Sequence, residues 1–190
     1  MKRSMNNTLQ LDRVCPPAAL LAAALRQLSS LLDSVSDPMY VQKPVGVIES
    51  SIGGHVRHCL DHFESLCAAI ATGELDYDRR ERGTSIESSR CAAIEAIEGL
   101  LLRVARINHD DLERPLRLTA MLSGDGTTIE AGTTIGRELA FVLSHTIHHN
   151  AIVSAMCRTL GVPLPARFGY APATIAHLEQ TACVPSPSSR

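Results

Sequence analysis

At 190 residues the chain is long enough to bury the core of one domain. Its 45% hydrophobic and 20% charged residues are ordinary for a globular protein, and 3% aromatics with no Trp leave Leu, Ile, Val and Ala to fill that core. A net charge of −2, with no basic cluster denser than DYDRRERG, argues against a nucleic-acid partner, and no apolar run reaches the ~18 residues of a membrane span.

Residues 1–14 read as a flexible N-terminal arm, 15–181 as the folded domain and 182–190 as a disordered tail. The run AALLAAAL (Ala18 to Leu25) follows MKR much as a secretion signal would. Asp12, Arg13 and Pro16-Pro17 intervene and Arg26 closes it, so an ordinary helix is expected. The prolines stand at its start, and helical spacing of apolar residues carries it to about Val35. SDPMYVQKPVG then breaks the pattern. A second helix opens on Ser50 or Ser51 as cap and runs to Gly73. ELDYDRRERG follows as a charged connector. Thr84 and Glu87 form the S/T-x-x-E pattern of a capping box for a third helix ending near Ile107. Gly124, Asp125 and Gly126 then centre a small hairpin excursion. A fourth helix starts near Thr133 or Thr134 and stops at Gly161, with Pro163 just beyond. A short helix capped by Thr174 closes the domain. The expected fold is all-α, a four-helix bundle with a hairpin between the third and fourth helices.

The six cysteines (Cys15, Cys59, Cys67, Cys91, Cys157, Cys183) make no C-x-x-C pair. Four fall in apolar helical patterns and are expected as buried, reduced thiols, which fits a cytoplasmic location.

Six of the eight histidines sit in two short stretches, GHVRHCLDHF (Gly54 to Phe63) and SHTIHHNA (Ser144 to Ala151). Each helical residue advances about 100°, so residues four apart lie on one face. His145 and His149 are such a pair and can converge on one cation. Position 146 is not Glu, so the H-E-x-x-H protease pattern is absent. His55, His58 and His62 form a second stripe, continued by the apolar Ile52 and Leu66. Phe141, Val142, Ile152 and Val153 flank the first. Buried without partners, each imidazole would forfeit ~1–3 kcal/mol of hydrogen bonding, and a shared cation removes that cost. Any single histidine among them is also readable as a hydrogen-bonded core residue, and it is the convergence of five or six that favours a metal. Three imidazole ligands leave a position open for water or substrate, the catalytic rather than the structural arrangement. Zn, Ni, Fe and Cu all accept imidazole.

The four helices, HCLD at His58 to Asp61, SHTIHHNA and the closing LGVPLPARFGYAP together resemble the DinB/YfiT-like superfamily of metal-dependent enzymes, over roughly Ala18 to Ala173. The resemblance implies a divalent metal, Zn or Ni first and Fe next, held by one histidine of the second helix and two, four apart, of the last. Those map to His58, His145 and His149. His148 is then a neighbour of the site. His62 is a fourth ligand, a proton shuttle or a donor to a ligand, and His55 shares that ambiguity. Asp61 either orients the His58 ring or is a solvated carboxylate.

Relatives with known activities include transferases that use bacillithiol, mycothiol or glutathione, a maleylpyruvate isomerase, and the iron-binding domain of sulfoxide synthases. The expectation is therefore an enzyme that activates water or a low-molecular-weight thiol, for hydrolysis or for thiol transfer to a small electrophilic metabolite. The alternative is a non-catalytic, metal-stabilised stress-response or binding module. Either form is expected as a homodimer. Tyr77, Asp78, Arg79, Arg80 and Arg82 either bind an anionic co-substrate or form a solvated charged loop.

Overall fold

The computed structural model describes residues 16–46, 48–80 and 83–182. The expected arm over 1–14 and the tail beyond Ala182 lie outside the described residues, as do Cys15, Arg82 and Cys183.

Helix α1 (Pro17–Leu32) begins on proline, where the missing N–H would have had no helical acceptor. Leu21, Leu25, Leu28 and Leu32 recur at helical spacing and are each 0% exposed. Burial of that kind contributes ~1.5–3 kcal/mol per side chain. The expected break after α1 contains a short helix, α2 (Asp37–Val41), because Pro38 falls in its first turn, where proline is tolerated. It carries the buried Tyr40, whose hydroxyl donates to the Ile86 carbonyl at 2.7 Å.

Of the two candidate caps for α3 (Ile52–Thr72), Ser51 serves, accepting from the Gly54 N–H at 3.0 Å. Gly53 has to be glycine for room: a Cβ there would collide with the Glu87 carbonyl and the Tyr40 ring. Gly73, at φ 78°, ends the helix in the left-handed conformation. The chain then reverses into a strand, β1 (Glu74–Asp76), where the sequence suggested only a charged connector. Leu75 is the reason, since it points inward and packs with Ala69, Leu116 and Ile135.

β1 pairs in parallel with β2 (Pro115–Met121), which pairs antiparallel with β3 (Thr128–Thr134). The expected hairpin is therefore present but belongs to a three-stranded sheet of order β1-β2-β3. Arg117 locks the parallel pair by gripping Glu74 at 2.7 and 2.9 Å.

The expected third helix is two helices, α4 (Ser85–Ser88) and α5 (Arg90–Val104). Thr84 makes no side-chain cap, and Glu87 is drawn to Arg57 of α3 at 3.1 Å. Ser89 caps α5 instead, accepting from the Ala92 N–H at 3.3 Å. Thr134 caps the longest helix, α6 (Ile135–Leu160), which Gly161 terminates as expected. Helix α7 (Pro172–Ala182) opens two residues before the Thr174 cap expected for it.

α3 packs on α5 and α6, and α1 packs on the same two. The core between these four long helices holds Leu25, Leu60, Phe63, Ile97, Leu100 and Val142, and α2 adds Tyr40 to it. The fold is thus mainly helical with a small sheet. Cys59 and Cys157 are buried free thiols, whereas Cys91, in the first turn of α5, is exposed against expectation. Among the described residues no helix is long and apolar enough to cross a membrane.

Candidate metal centre

The two histidine stripes meet where α3 crosses α6. His55, His58 and His62 descend one face of α3, and His145 and His149 face them from α6. His58 Nε2 lies 2.8 Å from His145 Nε2. The His149 ring centroid is 4.5 Å from that of His58 and 4.5 Å from that of His145. His62 stacks on His145 at 4.2 Å. The potential ligand atoms of His58, His62 and His145 all lie within 4.8 Å of one another. Five imidazoles from two helices therefore form one contiguous cluster.

Hydrogen bonds restrict how these rings can act. His62 Nδ1 sits 2.9 Å from the His58 carbonyl, which can only accept, so Nδ1 carries the proton and Nε2 the lone pair. That is how metal-ligating histidines are commonly oriented. His149 Nδ1 is 2.9 Å from His55 Nδ1, so one ring of that pair donates to the other. His55 is buried, and its Nε2 has no protein partner.

Burial, and after it the other imidazoles, pull His58 down to about 3. The same causes hold His145 and His149 at about 4. Burial also lowers His55 and His62. At neutral pH the cluster is thus a set of uncharged nitrogen donors, the form that binds metal. The residues present fit a divalent ion of the borderline-soft class.

A pH dependence follows for metal-free protein. Between about pH 4 and 6.5 the unfolded chain holds protons on these histidines that the folded chain does not. Unfolding free energy rises with pH wherever the unfolded state is the more protonated, so acidification across this window destabilises the fold. Urea midpoints of chelator-treated protein should fall steadily from about pH 6.5 toward 4 and level off above it. A midpoint unchanged between pH 7 and 5 would contradict a neutral buried cluster.

The connector after Gly73 completes the surroundings. It runs back along α3, so that Tyr77 stacks on His62 at 4.9 Å and, nearer the start of the helix, an Arg80 guanidinium N–H contacts His58 Nδ1. Arg79 is exposed and turned to the sheet side, where its backbone N–H donates to Asp76. Of the two arginines expected to bind substrate, only Arg80 reaches the cluster. Asp61 accepts from Arg57 at 3.2 Å, and burial raises its carboxyl above the usual range. His148 is exposed, and its ring meets the edge of His149.

Glu138 lies outside the histidine stripes, yet it supports them. Its side chain is 0% exposed, and it accepts from Tyr77 Oη at 2.9 Å, Thr133 Oγ1 at 2.7 Å and Arg137 at 2.7 Å. It thereby anchors the ring on which His62 stacks. Glu138 lies seven residues before His145, two turns up the same face of α6, and that spacing was the available signal. Phe141, between them, stacks on His145 at 5.5 Å.

FK506-binding protein 5 of Rhizopus delemar is 35% identical to this chain over 107 residues, 56% of this chain and 28% of that protein. The chain thus spans well under two thirds of that relative's length. The crystal structure of a DinB-like protein, YjoA, from Bacillus subtilis superposes with a TM-score of 0.61 at 18% identity. It covers 80% of this chain and 97% of that one, a likeness of fold. The DinB superfamily model matches residues 20–153, a stretch that holds most of α1, all of α3 and α5, and both histidine stripes. The chain belongs to the DinB superfamily.

Proposed function

We propose that this chain is a metal-dependent enzyme that activates water or a low-molecular-weight thiol for attack on a small electrophilic metabolite. The observation that carries this reading is the convergence of neutral imidazole donors from α3 and α6. His58 and His145 hold the ion, and His62 or His149 supplies the third donor. His62 belongs to the converging group and has its lone pair on Nε2, and His149 has the spacing that the resemblance implies. The imidazole of that pair left uncoordinated accepts the proton released by the nucleophile. A bound divalent ion supplies Lewis acidity, lowering the pKa of a water or thiol in its open position.

The chain's own groups do the rest. Burial by Tyr77 and Phe141 limits water around His62 and His145, and the Glu138 network keeps those rings in place. Zn or Ni suits this all-nitrogen set, and Fe is compatible with it.

Calorimetric titration of glutathione into Zn- or Ni-loaded protein tests the thiol arm. Saturable binding that is lost in chelator-treated protein is expected. If metal raises the melting temperature while neither thiol binding nor hydrolysis of activated esters is detected, the chain is a metal-stabilised binding module and not an enzyme.

A further inference from the structure

We propose that Arg80 is the anion-recognition residue of this centre and that the substrate carries a carboxylate beside the group presented to the metal. The proposal rests on the metal-centre reading above and deepens it by naming a substrate class.

The half-buried Arg80 reaches the histidine cluster, where its guanidinium donates to Nδ1 of His58. Among the described residues it makes no ion pair with a carboxylate. The nearby acids hydrogen-bond elsewhere: Asp61 pairs with Arg57, feeling the Arg80 charge only at longer range, Asp78 accepts from the Met121 N–H, and Asp76 from the N–H groups of Asp78 and Arg79. A divalent ion on uncharged imidazoles would add two positive charges beside this cation, with no protein carboxylate among the converging donors to offset them. Electrostatics at such a site favours an anion.

Tautomers sharpen the point. Guanidinium can only donate, so His58 accepts at Nδ1 and carries its proton on Nε2, facing His145 Nε2 at 2.8 Å. A His58 that coordinates through Nε2 must carry its proton on Nδ1 instead. Arg80 then loses its acceptor, and its planar donor fork, which matches a carboxylate, is released on the Nδ1 side of the His58 ring. Metal binding and carboxylate binding are therefore coupled through one imidazole.

The experiment uses full-length protein loaded with Co(II), whose visible absorption reports its ligands, titrated with acetate. Wild type should show a saturable spectral change. Its dissociation constant should rise about tenfold or more in Arg80→Gln, recover in part in Arg80→Lys and stay unchanged in Arg79→Gln. Co(II) affinity without acetate should be equal or tighter in Arg80→Gln, because the competing hydrogen bond to His58 is gone. Normal Co(II) binding with the same acetate affinity in wild type and Arg80→Gln overturns the proposal alone. Failure of Co(II) to bind the wild type overturns the metal centre itself, and the proposal with it.

Discussion

His58→Ala and His145→Ala should each weaken Zn or Ni binding by more than about 100-fold, beyond the 10–100-fold typical of groups that only support a ligand. These two rings are the point of contact between the stripes, with their Nε2 atoms 2.8 Å apart. Removing either takes away one donor and leaves the other without its partner. His177→Ala, on the exposed face of α7, should bind metal as the wild type does. Competition against a chromophoric chelator reads all three. His62→Ala and His149→Ala measured alongside them separate the third ligand from the proton acceptor: the ligand variant should lose affinity by the same order, the other by less. The single substitutions should leave the fold intact, because the cluster is already a costly set of buried polar groups.

Glu138→Ala is expected to cost about 2–5 kcal/mol of stability. Two hydroxyl donors, Tyr77 Oη and Thr133 Oγ1, lose their acceptor at a site that is 0% exposed, and a cavity opens beneath them. Arg137 loses less, since it is 60% exposed and can be solvated. For a chain of this size the loss corresponds to a melting temperature lower by roughly 4–20 °C. Glu138→Gln keeps the volume and one acceptor and should recover most of it. Because Tyr77 carries the face on which His62 stacks, Glu138→Ala should also weaken metal binding by about tenfold. Thermal melts with and without metal measure both effects. A melting temperature within 2 °C of wild type would show that the network does not hold this end of α6.

How much of this was legible in the sequence depends on how local each feature is. The caps Ser51 and Thr134 and the stops Gly73 and Gly161 work within a few residues of themselves, and they bound α3 and α6 as their chemistry predicts. The histidine stripes follow from helical period alone. Strand β1 was hidden because its partner β2 is some forty residues away and only Leu75 points inward. The Thr84/Glu87 capping box failed for a similar reason, as Arg57 on another helix takes Glu87. Glu138 in the first turn of α6 looks like an ordinary complement to the helix dipole; its spacing from His145 marks a shared face, and its tertiary partners supply its role. Arg79 and Arg80 are indistinguishable in sequence. The turn after β1 sends one toward the sheet and the other to His58.

On the proposed reading, α3 and α6 hold one divalent ion between their histidines. The most direct measurement is metal analysis of protein purified without an affinity tag, followed by anomalous scattering from a crystal of the loaded form. About one equivalent of metal is expected, with a single anomalous peak about 2.0–2.1 Å from His58 Nε2 and His145 Nε2. Less than a few tenths of an equivalent after Zn or Ni is added, or a peak away from these two residues, would contradict the account.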